Sequence, residues 1–143
     1  MTEQTHDVIG VGAAIVDIIA RVDDGVLDEQ GLSKGAMTLV DEAGSTAIYD
    51  ALGDALERSG GSGANTIAAL GALGRNVAFI GKRRDDEFGK IFAHDIRATG
   101  AAFDAPAATT GEATARCLVM VTPDAERTMA TYLGVSGDLG PDD

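Results

Sequence analysis

Aromatic side chains and cysteine are scarce in this 143-residue chain, which has no Trp, two Tyr, four Phe and the single Cys117. One thiol makes no internal bridge, and no Cys/His cluster offers zinc-ligand spacing, so the expectation is a reducing, cytoplasmic location. So little aromatic surface supplies neither base-stacking platforms nor an aromatic interface hot spot. Cations are few as well: 11 Lys and Arg face 23 Asp and Glu, and the net charge of -12 repels phosphate backbones and anionic lipid. Nucleic acid and membrane surfaces are therefore poor partners. No apolar run reaches the roughly 18 residues of a membrane span, and the opening MTEQTHDV lacks the basic start and apolar run of an export signal.

What is present is apolar material at 45% of residues, enough for one globular core without disulfides, and 19 Gly for tight turns and close backbone approach. A small-molecule enzyme fits this composition best. The β-branched runs Asp7 to Gly12 and Ile15 to Val22 predict two strands, Asp23 to Ser33 a loop with a short helical turn, and Met37 to Val40 a short strand. From Asp41 to Arg58 apolar residues recur at three- and four-residue steps behind Asp41 as N-cap, which predicts one amphipathic helix ending at the glycines from Gly60. Ala64 to Leu73 predicts a second helix, apolar on nearly every side and hence buried. Val77 to Gly81 predicts a buried strand, and Asp86 to Thr99 a third helix with Phe88, Ile91, Phe92 and Ile96 on one face. Ala101 to Thr110 reads as a small strand and a polar loop. Ala115 to Val121 and Arg127 to Leu133 flank a turn and predict a hairpin, after which no closing element follows. The order indicates an α/β core with a separate β insertion, and too few core strands for a complete doubly wound sheet.

Four groups of residues bear on chemistry. Gly10-Val11-Gly12 follows a strand, but Ile15 stands where a dinucleotide loop needs a third glycine, so a tight strand connection is the better reading. Asp17, inside Ile15-Val16-Asp17-Ile18-Ile19, is costly to bury without a partner. It is either an outward-pointing residue on a two-faced strand or an acceptor for vicinal sugar hydroxyls. Ser59 to Thr66 (SGGSGANT) puts glycines and Asn65 at a helix start, where backbone can approach a ligand, although the Lys of a triphosphate-binding loop is missing. In Gly81 to Gly89 (GKRRDDEFG), Asp86 is favoured as a helix cap. His6 and His94 have no catalytic neighbour in sequence, and Cys117 reads as core.

Taken together, GAAIVDI from Gly12, SGGSGANTIAALGALG from Ser59 and GKRRDDEFG from Gly81 resemble the ribokinase-like family of sugar and nucleoside kinases, the PfkB carbohydrate kinases. The resemblance runs from about Asp7 to Ser136 and covers the N-terminal half of a typical member. It implies a three-layer α/β/α core with a small β-sheet lid, incomplete here, so that residues 1–143 form the N-terminal part of one kinase domain. The lid segments would be 15–22, 37–40 and 115–133. By the same resemblance Asp17 binds sugar hydroxyls, Gly61, Ser62 and Asn65 help hold the acceptor, and Met37, Leu39 and Leu133 line the lid side of the pocket. Ser62 and Ile15 differ from the Lys and Asn usual in ribokinases, which makes the match nearer to adenosine-kinase-like members. Arg84 departs from the family's frequent Gly. The family uses ATP and Mg2+, but its catalytic Asp and most of its nucleotide site lie in a C-terminal half that this sequence does not include. The expectation is thus an acceptor-binding chain, without catalytic residues or a metal site of its own, from an ATP-dependent kinase acting on a primary hydroxyl. The rival expectations are a fructokinase- or ribokinase-type sugar kinase, and a non-catalytic binding or dimerisation module that pairs through its lid.

Overall fold

Period-two alternation along β2 (Ile15–Arg21) organises the molecule: Val16, Ile18 and Ala20 are buried on one side, leaving Ile15, Asp17 and Ile19 on the other. The structure, a computed structural model, describes residues 5–143. Five strands form one sheet in the order β3-β7-β6-β2-β4, made of β3 (Met37–Leu39), β7 (Arg127–Tyr132), β6 (Ala115–Val121), β2 and β4 (Ala55–Gly60). The expected hairpin is there, with β6 and β7 antiparallel and Leu118 opposite Ala130. A second, two-stranded parallel sheet pairs β1 (Val8–Val11) with β5 (Val77–Ile80).

Among the described residues, four helices cover these sheets: α1 (Asp24–Glu29), α2 (Glu42–Ala51), α3 (Ser62–Ala72) and α4 (Glu87–Ala98). Two apolar clusters result. One joins Val16 and Ile18 to Ile67 of α3, Phe79 of β5 and Phe92 and Ile96 of α4; the other sets Leu118, Met120 and Ala130 against Leu27 and Ile48. Each fully buried Leu, Ile or Phe contributes on the order of 2 kcal/mol. Asp41 and Asp86 cap α2 and α4 as expected, accepting from Gly44 N at 2.7 Å and Gly89 N at 2.8 Å.

Four expectations need correction. The single helix over 41–58 stops at Ala51, and 55–60 is an edge strand antiparallel to β2, with Val16 opposite Ser59. Ala55 and Leu56 fit the helical period, but an unpaired β2 edge takes up the backbone hydrogen bonds of this segment, and Gly53 interrupts the helix. Helix α3 is not buried all round: Ala64 and Ile67 are buried, whereas Leu73 is 79% exposed. The small strand expected after Ala101 is reduced to isolated bridges from Ala102 to Ala78 and from Ala108 to Arg84. Finally, the chain does have a closing element, the 3-10 turn Gly134–Asp138.

Candidate functional site

Register puts five side chains in one row across the large sheet. Arg58, Asp17, Cys117, Thr131 and Leu39 are aligned neighbours on β4, β2, β6, β7 and β3, and therefore share the face turned away from the core. The next row on that face is Leu56, Ile19, Val119, Met129 and Met37. Asp17, Ile19, Cys117, Val119, Arg127 and Met129 line a cleft of about 500 Å3 there. Beyond the cleft, Met37, Leu39 and Leu133 are 55%, 62% and 43% exposed.

Asp17 thus stands in the middle of this sheet face, with Glu126 as the second carboxylate lining the cleft. No side-chain or backbone donor among the described residues reaches Asp17, and burial pushes its pKa above the ordinary 3.8. Arg58 stands opposite in register yet makes no ion pair with it among the described residues. The carboxyl group lies directly on Gly60, where an added Cβ would collide with it. Gly61 follows with φ of +89°, a backbone that L side chains rarely adopt, and turns the chain from β4 into α3. Both glycines are therefore structural requirements of the turn under Asp17. Burial also raises the Cys117 thiol, and the charge of Asp17 adds to that shift, so Cys117 presents a neutral thiol to the cleft. Its Sγ accepts from Thr131 Oγ1 at 3.4 Å.

Asn65 is not brought to the same cleft. Its backbone N donates to Gly61 O at 2.8 Å, which begins α3, and its residue lines a second cleft of about 550 Å3 with Arg58, Ser59, Ala68 and Asp95. Asp17 and Asn65 flank the Gly60–Gly61 turn from two sides. Ser62 is exposed at the first turn of α3. A carboxylate of α4 supports this turn as well, since Asp95 Oδ2 accepts from Ser59 N at 3.0 Å. Sequence reasoning missed Arg58, whereas Cys117 is buried as expected, at the floor of the cleft; the two-residue alternation from Asp17 contained the signal for Arg58, but it became usable only once β4 was known to be a strand. Among the described residues, no group of three His, Cys, Asp or Glu side chains is arranged to hold a metal ion, so no step through Mg2+ is derived from this chain.

The fold has close counterparts in known proteins. The adenosine kinase of Sinorhizobium meliloti superposes with a TM-score of 0.89 at 47% identity, covering 98% of this chain and 43% of that one. A probable sugar kinase from Rhizobium etli CFN 42 gives 0.89 at 43% identity, covering 99% and 43%. Fructokinase-1 of Zea mays is 36% identical over 84 residues, which is 59% of this chain and 26% of the relative. The chain thus spans less than half the length of these relatives. The family described as pfkB family carbohydrate kinase matches residues 6–143. With the match running from His6 to the last residue, the chain belongs to the PfkB carbohydrate kinases and has the ribokinase-like α/β fold.

Proposed function

We propose that this chain forms the acceptor-binding part of an ATP-dependent kinase that phosphorylates a primary hydroxyl of an adenosine-like nucleoside. The observation that carries the reading is Asp17, a half-buried carboxylate without a donor, lying on the Gly60–Gly61 turn and facing an open cleft. A carboxylate accepts hydrogen bonds at both oxygens, and two vicinal hydroxyls of a ribose supply the two donors that the protein does not. Gly60 and Gly61 let the sugar ring approach the backbone, and Ser62 supplies a polar group at the start of α3, whereas Asn65 lines the neighbouring cleft and is left out of this contact. Met37, Leu39 and Leu133 form an apolar cover on the lid side. Closing that cover over the acceptor excludes water, the competing phosphoryl acceptor, from the reaction.

The nearness of the adenosine kinase in structure supports the nucleoside reading. The sugar-kinase reading is favoured by the fructokinase relatives, 34% identical in Arabidopsis thaliana and 36% in Zea mays. ATP and Mg2+ are the donor and cofactor that family membership implies. Phosphoryl transfer needs a base for the attacking hydroxyl and donors for the developing charge, and the family resemblance assigns both to the C-terminal half of a typical member. Accordingly the 143-residue chain binds acceptor without turning it over. Calorimetric titration with adenosine, ribose and fructose tests the reading. Saturable binding of adenosine in preference to both sugars is expected; preference for fructose replaces the nucleoside assignment, and binding of none refutes an acceptor site in this cleft.

A further inference from the structure

A net charge of -12 makes any gathering of cations unusual. On α4, Lys90, His94 and Arg97 recur at four- and three-residue steps and so share one helix face. With Arg83 from the turn after β5, and with Ala93 and Ala98 leaving room between the long side chains, they line a separate cleft of about 520 Å3. Arg97 is fixed in place, its Nε and Nη2 donating to Phe103 O at 3.0 and 2.6 Å. The guanidinium groups of Arg83 and Arg97 lie 5.7 and 5.8 Å from the centroid of the same Phe103 ring. The fold thus holds two cations close together, and burial, followed by the charge of Arg97, weakens the hold of Arg83 on its proton.

The Arg83 side chain makes no hydrogen bond or ion pair among the described residues, and its Nε is buried without a partner. The charges of Asp85 and Asp86 offset this only in part. Asp85 approaches Lys90 only to 3.8 Å. Asp86 is occupied by Gly89 N, Thr114 N and Thr114 Oγ1. Asp95, 3.2 Å from His94 Nδ1, also accepts from Ser59 N. Guanidinium forks with spare donors match the oxygens of a phosphate, and a lysine on the rim adds charge without directional demand.

We propose that this cleft binds the phosphate group of a small phosphorylated metabolite, at a site separate from the Asp17 cleft and independent of the acceptor reading. The test is an NMR titration of the isotope-labelled chain at low salt with inorganic phosphate and with glycerol phosphate. Saturable shifts are expected for Arg83 and residues 87–98, with a dissociation constant of about 1 mM or tighter for glycerol phosphate. Arg83→Gln and Lys90→Gln should each weaken it about tenfold, and the Lys90 side chain, 71% exposed, can be changed without disturbing the fold. Shifts that do not saturate, that fall elsewhere on the surface or that persist unchanged in both variants overturn the site. Binding of inorganic phosphate without glycerol phosphate overturns the metabolite assignment.

Discussion

At the scale of single residues, the chemistry converges on Asp17. Truncating it to Ala should weaken acceptor binding by about 1 to 3 kcal/mol, the range for removing a hydrogen-bonded group, while the fold persists because no hydrogen bond or ion pair among the described residues depends on the carboxylate. Its pH behaviour follows from the raised pKa. The folded form holds the proton more tightly than the unfolded chain, so the cost of burying the charge is present above the folded pKa and is relieved as pH falls through it. Asp17→Asn should therefore raise the urea midpoint at neutral pH, and the gain should shrink on acidification. Acceptor affinity should follow the opposite course, falling as the carboxylate protonates, and should begin to fall above the pH at which an ordinary aspartate titrates. A constant affinity across that range would remove Asp17 from the contact.

At the scale of elements, the entry to α4 and the β4–α3 turn are the critical joints. Asp86 accepts from Gly89 N, Thr114 N and Thr114 Oγ1 at 2.8, 2.9 and 2.7 Å, and so ties the start of the helix to the residue before β6. Asp86→Ala should cost about 1 to 3 kcal/mol in urea unfolding, since it removes a cap and leaves buried Thr114 short of partners. Gly60→Ala should abolish acceptor binding through displacement of the Asp17 carboxyl, with wild-type affinity as the contrary result. These elements were unequally legible in the sequence. The hairpin 115–133, the cap at Asp86 and the alternation around Asp17 were written in local pattern. Strand β4 was not, because Ala55 and Leu56 satisfy a helical period and only pairing with β2 decides between the two conformations. Mislocating that strand also hid the row from Arg58 to Leu39, and with it the fact that Asn65 faces a different cleft from Asp17. The site residues came from motif resemblance; their separation across the glycine turn is a matter of tertiary geometry that no spacing records.

At the scale of the whole molecule, apolar surface is left open in two places. The five-stranded sheet presents Met37, Leu39 and Leu56, with Leu133 just beyond β7, and β1 presents Val8, Ile9 and Val11 at 42%, 53% and 64% exposure. A strand with an unpaired edge and apolar side chains is a template for association. If the lid pairs with a second copy, as this exposed apolar surface favours, sedimentation should show concentration-dependent dimers that Leu39→Glu and Met37→Glu disrupt. Dimers untouched by both changes would place the contact elsewhere, with the β1 edge the next surface to alter. The most direct test of the central claim is calorimetric titration of adenosine into the wild-type chain and into Asp17→Asn at neutral pH. Saturable binding that the single change weakens about tenfold or more is the predicted result, and equal affinity in the two proteins would contradict it.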